Sequence, residues 1–428
     1  MSNDNLYGPE IPMAASQAEA DYQQWLESES STETELEQLF LEWKRAEEEY
    51  AIERQKLECT SPPLYALRTV FEQWLVIPDV DWDIMEFILA VFKSREIAEA
   101  DPLWAVVIGP SGGGKSEFIR TLLDTPGTFH LSKPTPNSLA SGWRGKGNSG
   151  NDPSLLLLMD GKLVLMPDFA PILDTRAEVR NEILSILREA FDGAFAVGKG
   201  NIGHKVYKSR FSMLVGSTPV IDRYTGESSE LGERFVKIRL RGDSRVAKAK
   251  KASSTVPHVK EMRAELKKAV QTFLASTPKY VGVENPMQEK IASLADFTAL
   301  ARSPIHRDRF SREIDEVPCP EEGGRLARQL NNLIMSLALV RGRTTTNADD
   351  LALVRRVAED CLPPARLRVL NAVRTAPSGI SYAAIQSASG LAKGGPLSRV
   401  LEEFLALKIL KHDERTGLYS LHAQYVNP

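Results

Sequence analysis

Hydrophobic and polar positions along this chain fall into two periods, one helical and one extended. From Thr32, a residue suited to capping a helix, apolar side chains recur at Leu36, Leu39, Phe40, Trp43 and Ala46 and predict a charged amphipathic helix to about residue 57. After Pro62 and Pro63, residues 64–75 and 82–95 read as two helices leading into the apolar run 104–108. Short apolar runs then recur at 162–166, 211–216 and 235–240, with a helical pattern at 176–191 between them. Alternation of this kind predicts an α/β fold with a parallel sheet covered on both faces. Residues 242–301 are helical in pattern and open on a lysine-rich stretch at 245–251, and 325–341 and 347–361 form a further helical pair. Pro363 and Pro364 mark a linker. Beyond it come helical runs at 366–374 and 382–389, a Gly-rich turn, a helix at 397–407, and two short strands around the turn 413–417. The expected segments are therefore 1–60 (tail and helix), 61–243 (sheet domain), 244–362 (helical lid) and 363–428 (C-terminal domain).

Charge changes this picture by segment. The chain of 428 residues has a formal net charge of −4. Residues 1–60 hold 15 acidic and 4 basic side chains, a balance of −11, which leaves the remainder at +7. The acidic helix is thus a candidate docking arm for a protein partner, and the basic body is compatible with a nucleic-acid partner. Cys59, Cys319 and Cys361 are widely separated and form neither a disulfide framework nor a zinc pattern, so a reducing cytoplasm is the expected compartment. No apolar stretch approaches the roughly 20 residues needed to cross a bilayer, and the first residues lack the basic and apolar parts of a secretory signal.

The most specific chemistry lies after the run 104–108. Gly109, Pro110, Ser111, Gly112, Gly113, Gly114, Lys115 and Ser116 match GxxxxGK[ST] between an expected strand and an expected helix that starts at Glu117. Glycines let the backbone curl so that its N–H groups face phosphates at a helix N-terminus. Lys115 would bridge the outer phosphates of ATP, and Ser116 would hold magnesium. About 50 residues on, the apolar run ending at Met166 and Pro167 delivers Asp168, a second candidate for magnesium or for polarising water.

With these motifs in order, residues 65–361 resemble the AAA+ ATPases, in the branch containing the minichromosome maintenance helicases and related phage and mobile-element ATPases. The resemblance implies a P-loop parallel-sheet domain with a helical lid. It also assigns further residues. The segment Phe195-Ala-Val-Gly-Lys199-Gly-Asn-Ile202 is similar to the family's pre-sensor hairpin, with Lys199 facing DNA and His204, Lys205 and Lys208 beside it. Thr218, in Gly216-Ser-Thr-Pro219, stands where the family normally has the sensor-1 asparagine. Arg234, in Leu231-Gly-Glu-Arg-Phe235, is similar to the arginine finger that reaches a neighbouring subunit. Arg328, with Arg325 as the alternative, fits the sensor-2 helix, and Arg144 and Lys146 fall where this branch inserts a second pore loop.

The C-terminal segment resembles a winged helix, with 397–407 as its recognition helix. From Arg366 on there are 8 basic and 4 acidic side chains, and Lys393, Arg399, Lys408, Lys411 and Arg415 flank that helix and the wing, while Glu402 and Glu403 lie on it. Together the resemblances imply a magnesium- and ATP-dependent ring ATPase, a hexamer, acting on DNA as a translocase, helicase-like motor or remodeller. A low-turnover, ATP-switched scaffold or loader that recruits protein partners is the alternative.

Overall fold

A computed structural model describes residues 62–97, 100–141, 152–199, 203–227, 234–279, 282–308, 310–316 and 320–425. The expected helix at 32–57, Cys59, Cys319, Arg144 and Lys146 lie outside these residues. Met1–Thr69 and Val70–Pro428 form two units. Of the first, the described part is the opening of α1 (Pro62–Trp74). All that follows concerns the second.

Its frame is a five-stranded sheet of β1 (Trp104–Ile108), β2 (Thr128–His130), β3 (Leu163–Met166), β6 (Ser212–Ser217) and β7 (Phe235–Arg239) in the order β2-β3-β6-β1-β7. Every neighbouring pair is parallel. In register, Ile108 stands level with Ser217 on one side and with Arg239 on the other. All residues of β1 and β3 are buried, as expected of strands covered on both faces, which need continuous rather than alternating apolar runs. The sequence expectation for these strands holds to within a residue, whereas β2, three residues long and partly polar, carries no such run.

Trp104 organises the N-terminal end of the sheet. It lies edge-on to Phe191 and against Phe211 and Phe235 at centroid distances of 5.2–5.5 Å, and its indole N–H donates to the Phe211 carbonyl at 2.8 Å. Burial of so large an aromatic is favourable only because that N–H is satisfied. On this face α7 (Ala177–Phe191) packs through Ile183, Leu184, Leu187 and Ala190. The opposite face is covered by α2 (Asp79–Lys93), which is buried almost all round because α12 (Gly324–Val340) lies on its other side. Between α2, α12 and α13 (Ala348–Asp360), Arg341 binds Glu86 at 2.6 Å and Asp350 at 2.8 Å, and Arg343 takes the other Asp350 oxygen. Each of these buried carboxylates is paired, which such burial demands.

The remaining elements extend this frame. A hairpin of β4 (Ala194–Lys199) and β5 (Gly203–Lys208) follows α7, and α8 (Ile221–Glu227) follows β6. After β7 the chain forms α9 (Arg245–Thr255), α10 (Val259–Ser276) and α11 (Gln288–Arg302), then a small hairpin of β8 (His306–Arg307) and β9 (Ile314–Glu316). Short helices α3 (Lys115–Arg120), α4 (Pro136–Leu139), α5 (Leu155–Met159) and α6 (Ala170–Leu173) fill the connections within the sheet domain.

The C-terminal part contains α14 (Pro364–Arg374), α15 (Tyr382–Ser389) and α16 (Gly395–Ala406) with a three-stranded antiparallel sheet of β10 (Ile380–Ser381), β12 (Leu418–Leu421) and β11 (Leu410–Asp413). Here the expected linker differs from what is found. Pro364 is the first residue of α14, a position where its missing N–H costs nothing, and the module shares one core with Phe297 and Ala301 of α11. Arg366 fixes the junction by donating to the carbonyls of Ala301 and Ser303 at 2.8 and 2.7 Å and to Glu403 at 3.0 Å. No described helix is long and apolar enough to cross a membrane.

Lys237 on β7 is wholly buried beside Cys361, whose sulfur accepts the Lys237 backbone N–H at 3.3 Å. Burial pushes the lysine pKa down to about 8, with Cys361 and Asp222 opposing. In the unfolded chain a lysine titrates near 10.4, so between about pH 8 and 10.4 the unfolded chain binds the extra proton and stability rises with pH. Below that window the folded protein carries the desolvated charge at full cost. Lys237→Met is expected to raise stability by on the order of 2 kcal/mol at pH 7, with the gain fading by about pH 10.5. Denaturant midpoints across pH check this; a gain independent of pH would contradict it.

Candidate functional site

The C-terminal ends of the parallel strands carry the site, the position at which open α/β sheets place ligands. At the end of β1, Gly109 donates its N–H to the Ser217 carbonyl at 3.1 Å, and the loop then turns through two left-handed residues, Gly112 (φ 74°) and Gly114 (φ 93°). A side chain at either would be strained. Among the described residues, the backbone N–H groups of Ser111, Gly112, Gly114, Lys115 and Ser116 have no protein acceptor. Successive N–H groups in such a loop form an anion-binding concavity.

Two side chains complete this concavity. Lys115 is buried, and its ammonium donates to the Pro110 carbonyl at 3.2 Å. Burial lowers its pKa and the nearby Asp168 carboxylate opposes the shift. Held by one neutral carbonyl, this cation is poorly solvated and suited to exchange its partner for an anion. Ser116 donates its hydroxyl to the Pro167 carbonyl at 3.2 Å, which ties α3 to the end of β3.

That tie brings in Asp168. The carboxylate is exposed and one oxygen accepts the Ala170 N–H at 3.0 Å. Among the described residues no group of three or more His, Cys, Asp or Glu side chains is placed to hold a metal. A magnesium ion, which keeps much of its water and binds through one or two carboxylates together with phosphate, needs no such cage, so Ser116 and Asp168 fit it. Thr218, half-buried, lies just past the position level with Ile108, next to the start of the loop, and its hydroxyl has no protein partner among the described residues.

The approach of β3 to the loop depends on Gly216 in β6. A Cβ there would lie 2.5 Å from the Pro167 carbonyl oxygen and 3.1 Å from Ile119 Cδ1, and the Gly216 carbonyl itself accepts the Phe169 N–H at 2.8 Å.

Above the loop lies a cavity of about 320 Å³. One wall is the loop itself, another is apolar and made by Leu75, Val76, Ile77, Pro78, Val259 and Met262, and α9 supplies Lys248 and Lys251. Arg263 of α10 forms a fork-like pair with Glu117 at 2.6 and 2.9 Å. Trp74, at the rim, donates its indole N–H to Glu265 at 2.7 Å. A pocket with one apolar wall and one cationic, N–H-rich wall suits a ligand with a flat ring at one end and phosphates at the other.

Arg234, expected to serve a neighbouring subunit, and Arg328, expected at the phosphate of its own chain, both lie away from the loop. Arg234 precedes β7 and pairs with Asp192 at 3.0 Å, lying over Phe191. Arg328 pairs with Asp101 at 2.6 Å, three residues before Trp104, and the neighbouring Gln329 donates to the Arg234 carbonyl at 2.7 Å. Both therefore sit at the N-terminal edge of the sheet, a strand length or roughly 16 Å from the loop of the same chain. Arg328 thus does not reach the loop 109–116 of its own chain. The arginine that does line the cavity is Arg263, which sequence order alone did not single out.

The basic hairpin also differs from expectation. Lys205 pairs with Asp152 and lies 4.9 Å from the centroid of the Tyr207 ring, so it is committed rather than free. Tyr207 is buried and donates its hydroxyl to the Ser141 carbonyl at 2.6 Å. Ser141 and Asp152, which flank the stretch containing Arg144 and Lys146, are thereby both fastened to β5. Its other face exposes His204, Val206 and Lys208, while position 199 closes the ladder opposite Gly203. In the C-terminal module Arg399 is exposed, and Glu402 and Glu403 are taken up by Arg307 at 2.8 and 3.7 Å, Glu403 also by Arg366.

Gly216→Ala is expected to cost about 1–3 kcal/mol, because the atom it meets at 2.5 Å is backbone and cannot rotate away. Gly198→Ala, whose added Cβ meets nothing within 4 Å, serves as the control. Equal denaturation midpoints for the two variants would show that β3 and the loop are not held in contact as described. No protein-family model matches this chain, and no curated protein matches it.

Proposed function

We propose that the chain binds magnesium-ATP in the cavity above residues 109–116 and hydrolyses it, as an AAA+-like ATPase that works on DNA. The observation that carries this reading is the loop itself, whose free N–H groups, Lys115 and Ser116 converge where the carboxylate of Asp168 also arrives. Ser116 and Asp168 would hold magnesium, which when bound supplies neutralising charge between phosphate oxygens. Lys115 would bind the outer phosphates, and the free hydroxyl of Thr218 would orient a water.

Arg234 and Arg328 fit the same proposal only if they serve another copy of the chain. Their shared edge faces away from their own loop, so an assembly in which one subunit's N-terminal sheet edge meets the next subunit's loop would complete each site. A closed ring, such as a hexamer, satisfies that requirement. DNA contact is supported by the exposed His204 and Lys208 on one face of the hairpin, whose other face holds Ser141 and Asp152. For the C-terminal module a winged-helix role is supported by exposed Arg399 and by the internal pairing of Glu402 and Glu403, which removes much of the charge that would repel phosphate.

Steady-state ATP turnover, measured with and without single- and double-stranded DNA, tests this. Lys115→Ala and Arg234→Ala are each expected to lower turnover about 100-fold or more, and an equimolar mixture of the two to recover activity, since each supplies what the other lacks. Full turnover by Arg234→Ala alone would refute the shared site. DNA stimulation is expected to fall in Lys199→Ala and Lys208→Ala. ATP binding without turnover would favour the switched scaffold or loader instead, the reading that the single carboxylate after Pro167 supports.

A further inference from the structure

The lysine-rich helix after β7 is exposed over most of its length, but one stripe of it is not merely solvated. Lys248, Lys251, Ala252 and Thr255 line the same cavity as the loop 109–116. The helix is fastened at its start: Asp81, buried at the beginning of α2, accepts the N–H groups of Arg241 and Gly242 at 2.8 and 3.1 Å and binds the Lys248 ammonium at 3.5 Å. Lys248 is therefore an anchor. One turn on, Lys251 is half-buried, lines the same cavity and has no acidic partner among the described residues.

Four cations, Lys115, Lys248, Lys251 and Arg263, face two carboxylates, Asp81 and Glu117. Asp81 is taken by Lys248 and Glu117 by Arg263. Two cations of the lining have no carboxylate partner among the described residues, Lys115 from the loop and Lys251 from α9. A cavity lined by two such charges is matched by a polyanionic ligand.

We propose that Lys251 is a phosphate-binding residue supplied by α9, and that it makes the cavity favour a nucleoside triphosphate over the diphosphate. This rests on the nucleotide reading above and adds to it a second wall. A triphosphate brings more negative charge than a diphosphate into a cavity whose lining already holds two cations without carboxylate partners, so its binding gains more from Lys251.

Calorimetric titration of the full chain with ATP, ADP and adenosine tests this. Lys251→Ala is expected to weaken ATP about tenfold, ADP by much less and adenosine not at all, with Lys251→Arg restoring most of the loss. The melting temperature of the free protein should be unchanged, because Lys251 makes no ion pair that folding depends on. Unchanged ATP affinity in Lys251→Ala overturns the proposal, as does an equal loss for adenosine, which would mark general damage to the cavity. If the unsubstituted chain binds none of the three and Lys115→Ala behaves identically, the nucleotide reading itself fails and takes this proposal with it.

Discussion

The site depends on how closely the backbone leaving β3 can approach the backbone of β6. Gly216 has no side chain, so the Pro167 carbonyl lies where a Cβ would otherwise stand, and Ser116 reaches that carbonyl from the loop after β1. Three strands are thereby drawn together at one edge, although β6 separates β1 from β3 in the sheet. Asp168 follows Pro167 directly, so its position near Lys115 is a consequence of the same contact. Packing this tight has little room to yield, which makes it a firm support for a site assembled from chain ends.

A second constraint is the polarity of the sheet. Parallel strands send all their C-terminal ends to one edge, and with them the loop, Asp168 and Thr218. The opposite edge collects what precedes the strands, including Asp101 and Arg234, and α12 brings Arg328 to the same place. Both edges carry strong charge, yet they cannot meet within one chain. Pairing determines which charges are available: Lys205, Lys248, Arg263, Glu402 and Glu403 all have partners, and Lys115 and Lys251 lack carboxylate partners among the described residues.

Much of the frame was legible in the sequence because strands buried on both faces must be continuously apolar. That rule located β1, β3, β6 and β7, and the spacing of the glycines located the turning loop after β1. It could not locate β2, whose three residues are partly polar, nor the role of Gly216, because a glycine within a strand does not reveal what approaches it. Helix order proved a poor guide to placement. Arg328 and Arg263 both lie on helices following β7, and only packing decides that α10 faces the loop while α12 faces α2. Charge patterning failed for the same reason, since a basic residue such as Lys205 and an acidic one such as Glu403 read as free until their partners, distant in sequence, are known. Pro363 and Pro364 suggested a spacer, but the apolar residues on both sides of them belong to one core.

The proposed nucleotide would be held by the unpaired N–H groups of Ser111, Gly112, Gly114, Lys115 and Ser116. Amide hydrogen exchange of the full chain, with and without magnesium-ATP, reads those groups directly. Nucleotide binding is predicted to slow exchange in the loop at 111–116, with smaller protection along the cavity-facing parts of α9 and α10. Unchanged exchange in that loop at saturating nucleotide, or protection confined to the C-terminal module, would contradict it.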